Sequence, residues 1–180
     1  MRRPAPSLGG MTDAAPLILS LALDPASQAR LGQLRQAHFP PARNHLPAHL
    51  TLFHALPGAA LPEVGARLAA LAAATAPMPL RFAGWRGLGR GVACAVASPP
   101  LLALRAGLAG EWRDWLTPQD RQGFRPHVTV QNKVAPEAAR ALLTLLEARV
   151  PPWAGLGRGL LLWHYRGGPW EAAGEFPFTA

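Results

Sequence analysis

Two segments of the sequence repeat the residue order His, apolar, Thr, apolar. The first motif is His49-Leu50-Thr51-Leu52, and the second motif is His127-Val128-Thr129-Val130. Alternating polar and apolar residues, some of them β-branched, predict a strand, and side chains two apart on a strand share a face. Each motif should therefore present one imidazole and one hydroxyl on one side and bury its apolar residues. A single copy would be weak evidence for a site, whereas two copies favour one.

Two histidines on opposite sides of a cleft could form an acid–base pair. Imidazole exchanges protons near neutral pH, so one ring could deprotonate a nucleophile while the other protonates the leaving group. The threonine hydroxyls could donate hydrogen bonds to a bound anion and stabilise charge that develops at phosphorus. In-line attack on phosphorus puts the entering and leaving oxygens on opposite sides, which a pseudo-symmetric pair of histidines matches without a metal. The symmetry leaves open which histidine is the base.

The elements that must hold these motifs also occur twice. Each half of the chain is predicted to contain a helix, a loop, a His-Thr strand, a second helix and a hairpin, and Gly-Leu-Gly-Arg-Gly occurs at 87–91 and 155–159. This order predicts an α+β fold, a bilobal pseudo-twofold duplication with two antiparallel sheets flanking a central cleft and helices on the outer faces. Residues 16–180 should form this single domain, and residues 1–15 a flexible tail. The predicted strands are 16–23, 48–56, 79–86, 91–97, 125–130, 153–165 and 170–178, and the predicted helices are 25–38, 62–74, 99–116 and 136–149.

Composition narrows the class of protein. The 180 residues, 49% of them hydrophobic, suffice for one packed domain, and the apolar runs are too short to span a membrane. Cys94 is the only cysteine, and no secretion signal is evident, so we expect no intrachain disulfide and a cytoplasmic location. The net charge of +8 favours an anionic partner, RNA or a nucleotide, over a membrane. Lys133 is the only lysine, however, and a bias in genomic composition would explain the same Arg-based charge.

Residues outside the motifs supply candidate substrate contacts. Arg125 and Lys133 flank the second motif and could reach a phosphate or RNA. Arg43 and His45 lie in the Pro-rich loop before the first motif and could line the cleft. For each of these residues, ordinary surface charge is the alternative.

Three further features favour structural interpretations. His45 and His49 are spaced like ligands of a helical zinc site, but Pro47 between them opposes a regular helix, so we expect no metal. His54 should face away from His49 if the strand is regular. Arg86 stands beside a predicted turn and could rim the cleft, but ordinary surface charge is the interpretation that we favour.

The paired motifs resemble those of the 2H phosphoesterase superfamily, and more closely those of its bacterial 2'-5' RNA ligase-like branch, which includes RNA 2',3'-cyclic phosphodiesterases. The resemblance covers residues 16–178. It implies the bilobal fold and metal-independent hydrolysis of a cyclic phosphate or a 2'-5' phosphodiester, with the reverse ligation in some members. It also implies that His49 and His127 are catalytic and that Thr51 and Thr129 bind phosphate.

The resemblance weakens just after the motifs, where Phe53-His54 and Gln131-Asn132-Lys133 depart from many members. This departure leaves the substrate more open than the chemistry. We predict hydrolysis of a 2',3'-cyclic phosphate, at an RNA end or on a nucleotide, to a 2'-phosphate, with reverse ligation as a further activity to test. We expect no cofactor and a monomer. The alternatives are a small-nucleotide phosphodiesterase, for example on a cyclic phosphate of ADP-ribose, and a non-catalytic RNA-binding module.

Overall fold

The computed structural model describes residues 15–180, so residues 1–14 of the predicted tail lie outside the described part of the chain. The strands are β1 (Leu17–Leu23), β2 (Leu50–Leu56), β3 (Met78–Gly87), β4 (Val92–Ala97), β5 (His127–Gln131), β6 (Trp153–His164) and β7 (Glu171–Pro177). The helices are α1 (Pro25–His38), α2 (Leu61–Ala73), α3 (Pro99–Glu111) and α4 (Pro136–Arg149). The predicted bounds agree closely, except that α3 ends at Glu111 and a short 3₁₀ turn, Arg113–Trp115, follows it.

All of these strands belong to one antiparallel sheet, with the order β2-β1-β6-β3-β4-β5 and with β7 paired to β6. The prediction of two separate sheets is wrong because β6 is long enough to serve both halves. Residues 153–157 of β6 pair with β3, and residues 157–164 pair with β1. Sequence periodicity identifies strands but does not identify their partners. The α+β class and the antiparallel pairing are confirmed.

The two ends of this sheet meet. β2 and β5 stand at opposite ends of the strand order, yet they contact each other, so the sheet curls. Arg35, a residue of α1 that is only 5% exposed, bridges this junction with hydrogen bonds. Its Nε donates to the Asn44 side chain (2.9 Å) and the Leu46 carbonyl (3.1 Å), and its Nη1 donates to the Thr129 carbonyl on β5 (2.9 Å). The segment before β2 is thereby joined to β5, which brings the two motifs together.

Helix α1 is held to the sheet by its N-terminal cap. Oδ1 of Asp24 accepts a hydrogen bond from the Ser27 amide (2.9 Å), and Oδ2 accepts one from the Leu156 amide on β6 (2.8 Å). Pro25 occupies the first helical position, where its missing N–H costs nothing. This cap fixes α1 against β6. It thereby also fixes the position from which the Arg35 side chain extends.

The core lies between the helices and the sheet. One leucine from each helix is at most 2% exposed and packs in the common core: Leu31, Leu68, Leu108 and Leu146. Burying each such side chain contributes about 1.5–3 kcal/mol to stability. Between residues 15 and 180, no helix combines the length and the apolar character that a bilayer span requires.

Candidate active site

The four polar motif residues lie on, or directly beside, the two strands that meet. His49 directly precedes β2 and Thr51 lies on it, while His127 and Thr129 lie on β5. All four are partly exposed, whereas the intervening and following apolar motif residues are at most 1% exposed. The alternation expected from the sequence therefore holds at both motifs.

Two cavities at this junction each combine residues of both motifs. The larger, the basic cavity, has a volume of about 620 Å³ and is lined by Thr51 of the first motif and His127 of the second. The smaller cavity, of about 280 Å³, is lined by His49 and Thr129. Each cavity thus places the histidine of one motif with the threonine of the other, which is what a shared site requires.

Both motif strands contain a β-bulge at the same motif position. In β2 the extra residue is Leu52, because Thr51 and the residue two further on pair with consecutive residues of β1. In β5 the extra residue is Val130, because Thr129 and the residue two further on pair with consecutive residues of β4. A bulge shifts the alternation of side chains by one residue. The residue two positions beyond each bulge is therefore turned to the motif face.

These bulges bring one more polar residue after each motif to the site. His54 lines the basic cavity, and Asn132 lines the smaller cavity. The prediction that His54 faces away from His49 is wrong, because it assumed a regular strand. The sequence signal for the bulge is Phe53, an apolar residue directly after Leu52, which breaks the alternation.

Both motif histidines are oriented by the same local hydrogen bond. Nδ1 of His49 lies 2.9 Å from the Pro47 carbonyl, and Nδ1 of His127 lies 2.8 Å from the Arg125 carbonyl. A carbonyl oxygen only accepts, so Nδ1 must carry the hydrogen in each ring. Nε2 of each neutral ring is therefore the unprotonated nitrogen and is available to accept a proton. This arrangement repeats at both motifs because the bond runs to the residue two positions earlier.

The surroundings lower the pKa of both histidines. Burial lowers the pKa of His49 to about 4, against the hydrogen bond to Pro47, and the positive charges of Arg35 and His127 act in the same direction as burial. Burial also lowers the pKa of His127, with a further contribution from the positive charge of Arg86. Both rings are therefore mainly neutral at pH 7 in the absence of an anion. A bound anion would favour the charged imidazolium form.

The predicted substrate contacts are divided among three cavities. Arg125 lines the basic cavity, whereas Arg43 and Lys133 line the smaller one. His45 lines a third, apolar cavity of about 310 Å³, which also borders His49. The structure therefore places all four residues beside a cavity that contains a motif residue.

The apolar cavity has aromatic walls. The ring centroid of Trp170 lies 4.6 Å from that of His49. Trp163, which also lines this cavity, donates from Nε1 to Oγ of Ser20 (2.9 Å). Ser20 pairs with Thr51 across β1 and β2, and directly paired residues share a face of the sheet. The apolar cavity therefore opens on the face that carries the motif residues.

Arg86 is a second residue for which the structure differs from the interpretation that the sequence favoured. It pairs with Ala93 of β4, which in turn pairs with Thr129 of β5, so all three side chains share one face. Arg86 accordingly lines the basic cavity with Arg125 and His127. Its interpretation as ordinary surface charge is wrong, because its side chain lies on the face of the sheet that carries the motif residues.

The donor groups at this site include imidazoles, hydroxyls and guanidiniums. Between residues 15 and 180, no three His, Cys, Asp or Glu side chains are arranged to hold a metal ion. Cys94 is fully buried, and burial raises the pKa of its thiol to about 12, so it is no thiolate near neutral pH. The arrangement suits proton transfer and anion binding.

Several solved structures have the same fold. The protein TT0787 of Thermus thermophilus superposes with a TM-score of 0.66 at 21% identity, over 91% of this chain and 97% of that protein. A protein described as a phosphoesterase superposes with a TM-score of 0.63 at 20% identity, over 93% and 99% of the two chains. E. coli LigT, in a complex with 3'-AMP, gives 0.60 at 20% identity, over 92% and 99%. At these identities the similarity shows the fold alone.

The family is shown by a comparison of sequences. A search of curated proteins found no match. The family model of the 2'-5' RNA ligase superfamily, in contrast, matches residues 23–169, a range that includes both motifs and most of the chain. The chain therefore belongs to the 2'-5' RNA ligase superfamily of 2H phosphoesterases.

Proposed function

We propose that this protein is a metal-independent phosphoesterase that opens a 2',3'-cyclic phosphate, at an RNA end or on a nucleotide, to a 2'-phosphate. Family membership supports a phosphoesterase or ligase chemistry in general. The observation that carries the specific proposal is the pairing of the motifs: each cavity at the strand junction contains one histidine and the other motif's threonine. Two oriented imidazoles and two hydroxyls match the demands of in-line displacement at phosphorus.

In the proposed reaction, Nε2 of one motif histidine accepts a proton from water as the water oxygen forms a bond to phosphorus. The bond from phosphorus to the ribose 3' oxygen breaks. The other histidine enters the reaction as imidazolium and gives its Nε2 proton to the departing oxygen. The product carries a 2'-phosphate and a free 3'-hydroxyl. Thr51 and Thr129 donate hydrogen bonds to the non-bridging oxygens, where negative charge increases in the transition state.

A nucleotide is the ligand class that the surroundings favour. LigT, which shares this fold, has been crystallised with 3'-AMP, NADP+ and ATP, all of which contain adenine and phosphate. In the present chain, the apolar cavity beside His49 has Trp163 and Trp170 as walls, and aromatic rings stack on any nucleobase. We therefore assign the base of the substrate to the apolar cavity and its reacting phosphate to the strand junction.

The decisive experiment is the hydrolysis of a short RNA ending in a 2',3'-cyclic phosphate, with EDTA present. Wild-type protein is compared with His49→Ala and His127→Ala, and the 2'- and 3'-phosphate products are separated. We expect a 2'-phosphate that requires both histidines and is insensitive to EDTA. Absence of product from folded wild-type protein, on this RNA and on 2',3'-cyclic mononucleotides, would overturn the proposal.

A small-nucleotide phosphodiesterase is the second candidate, favoured by the nucleotide complexes of LigT. The dependence of substrate affinity on salt concentration distinguishes the two candidate functions. An enzyme that tracks an RNA backbone neutralises several phosphates, so its apparent affinity should fall steeply as the salt concentration rises. An enzyme for small nucleotides should show only a shallow dependence. RNA binding that survives replacement of both motif histidines, with no turnover by wild type, would instead indicate a binding module.

A further inference from the structure

His54 differs from the two motif histidines in having a buried carboxylate behind it. Its Nδ1 lies 2.8 Å from Oδ1 of Asp120, whose side chain is 1% exposed. The same carboxylate accepts the backbone N–H of His54 at 3.0 and 2.9 Å and the backbone N–H of Ala55 at 3.1 Å. Asp120 therefore fixes both the backbone and the ring of His54.

Asp120 is held in its ionised form. Burial raises the pKa of its carboxyl group, but hydrogen bonds from the ring and the backbone of His54, and from the backbone of Ala55, outweigh burial and hold the pKa below its usual value. A carboxylate only accepts hydrogen bonds, so Nδ1 of His54 is the donor. Nε2, on the far side of the ring, is the atom that His54 presents to the basic cavity that it lines.

Arg105 balances the charge of Asp120. It is 7% exposed, and its Nη2 donates to the Asp120 carbonyl (2.6 Å) while its Nε donates to the Leu52 carbonyl (2.9 Å). Its guanidinium also lies over the ring of Phe53, at 4.0 Å. Arg105 and Asp120 together add no net charge to the cavity wall. The remaining polar side chains of the cavity are thus free to determine which ligand it binds.

Those remaining side chains favour a second anion. Arg86 and Arg125 line the basic cavity together with His54, and Asp120 is its only acidic lining residue among residues 15–180. The cavity of about 620 Å³ has more than twice the volume of the smaller one, at about 280 Å³, and falls within the range of ligand-binding pockets. It therefore has the space and the charge for a phosphate group besides the one that reacts between the motifs.

We infer that His54, oriented by Asp120, anchors a second phosphate subsite in the basic cavity, so that the preferred substrate carries a phosphate one position away from its 2',3'-cyclic phosphate. This inference rests on the proposed function. The second phosphate is either a terminal 5'-phosphate or the phosphodiester that joins the last two nucleotides of an RNA. Nε2 of His54 faces this phosphate, and Arg86 and Arg125 supply the surrounding positive charge.

Three substrates of increasing size test this inference. Adenosine 2',3'-cyclic phosphate lacks a second phosphate, its 5'-phosphorylated form adds a terminal one, and the dinucleotide with the same cyclic end adds a phosphodiester. His54→Gln should raise KM about tenfold or more for at least one of the two larger substrates, the loss typical of a hydrogen bond to a charged group. The loss in kcat/KM for adenosine 2',3'-cyclic phosphate, which has no second phosphate, should be distinctly smaller than the loss for that larger substrate. Which larger substrate responds identifies the source of the second phosphate.

Two further variants complete the design. Asp120→Asn, which alters a positioning residue, should raise KM for the same larger substrate and leave its kcat nearly unchanged. His38→Gln is the matched control, because His38 is partly exposed at the end of α1 and lines none of the three cavities. An equal loss on all three substrates would overturn the inference, since His54 would then serve the reacting phosphate or the fold. Circular dichroism establishes that each variant is folded.

A binding measurement separates failure of this inference from failure of the proposed function. Tryptophan fluorescence can follow the binding of 3'-AMP and of adenosine 3',5'-bisphosphate, neither of which has to react. Wild type should bind the bisphosphate about tenfold more tightly or better, and His54→Gln should lose most of that preference. If no cyclic phosphate is hydrolysed but this preference is found, only the proposed reaction fails. If wild type shows no preference, the subsite is refuted even if hydrolysis occurs.

Discussion

The two motifs share one backbone construction but have different surroundings. In both, Nδ1 of the histidine is held by the carbonyl two residues earlier, and a bulge follows at the fourth motif position. The bulge in the first motif presents His54, which has a buried carboxylate behind it. The bulge in the second presents Asn132, whose Oδ1 accepts the neighbouring Lys133 amide at 2.8 Å. The cavity beside His54 is also more than twice the size of the cavity beside Asn132, at about 620 against 280 Å³.

This comparison distinguishes the features that orient the reacting groups from those that determine the choice of substrate. The features that the motifs share are the ones that orient the reacting groups: the carbonyl that fixes each ring and the alternation that presents the threonine. The features that differ lie outside this shared construction: they are the residue presented after each bulge and the cavity beside it. Under the proposed function, the chemistry rests on what is common to the two motifs, and the choice of substrate rests on what is not.

Removal of either motif histidine should have the largest effect. His49→Ala and His127→Ala should each reduce kcat by about 10²–10⁴-fold, because each ring performs a proton transfer that the other cannot perform in the same turnover. The double variant should lose little more, since the pair acts as a unit. Steady-state hydrolysis of adenosine 2',3'-cyclic phosphate measures this, with His38→Ala as the control. Near-normal activity in either single variant would show that only one motif carries chemistry.

The threonines test whether both motifs contact the reacting phosphate. Thr51→Val and Thr129→Val keep the β-branched shape and remove one donor each, so each should lower kcat by about 10²-fold. Thr51→Ser and Thr129→Ser keep the hydroxyl donor, so each should retain most of the wild-type activity. Equal losses in kcat would indicate that the two motifs have equivalent roles. A loss confined to one variant would show that the phosphate occupies one of the two cavities only.

Local features of this fold could be predicted from the sequence, and long-range ones could not. The bounds of most helices and strands follow from periodicity and from caps such as Asp24-Pro25, which depend on neighbouring residues only. The single sheet could not be predicted, because the sharing of β6 depends on pairing between distant segments.

The same distinction applies to the candidate site. The four motif residues could be found because strand alternation is local. The position of His54 depends on a bulge whose register is set against β1, and its partner Asp120 lies in a loop far along the chain. Arg86 reaches the site through two successive strand pairings, so its type and sequence position alone could not distinguish a place at the cleft from ordinary surface charge.

The first motif should depend more on its surroundings for stability than the second. Asp120→Asn should reduce the free energy of unfolding by about 1–3 kcal/mol at pH 7, because an amide has one acceptor oxygen where the carboxylate uses two. The corresponding substitution in the second motif, Asn132→Ala, should reduce the free energy of unfolding by less than about 1 kcal/mol. Asn132 is partly exposed, and its side chain bonds only to the adjacent amide. Urea unfolding measures both.

The effect of Asp120→Asn should also depend on pH. Hydrogen bonds hold the pKa of Asp120 below its usual value of 3.8 in spite of burial, so the folded state binds this proton less readily than the unfolded chain. The carboxylate therefore contributes its full stability above pH 3.8 and loses it as the pH falls through the lower folded pKa. The difference between wild type and variant should stay constant above about pH 5 and shrink as the pH falls below 3.8 toward the lower folded pKa. A difference that stayed constant over the whole range would mean that Asp120 acts through packing alone.

The smallest effect, and the one that best distinguishes the two motif histidines, concerns the pH profile of kcat/KM. The reaction requires one neutral ring and one imidazolium, and kcat/KM reports the protonation of the free enzyme. Because the pKa of His49 is about 4 and that of His127 lies below 6.5, the profile should be bell-shaped with its maximum below pH 6.5. It should fall at higher pH, as the imidazolium is lost. A flat profile from pH 4 to 9, with chemistry rate-limiting, would contradict the proposed pair.

Replacement of Arg86 tests which histidine accounts for which limb of this pH profile. Its positive charge lowers the pKa of His127, whereas the pKa of His49 responds to Arg35 and to the other histidines. Arg86→Gln should therefore raise the pKa of His127 and move the alkaline limb of kcat/KM to higher pH, while the acid limb stays in place. Arg81→Gln is the matched control, an exposed arginine of the same strand that lines none of the three cavities. Movement of the acid limb alone would assign the higher pKa to His49 and reverse the electrostatic difference between the two motifs.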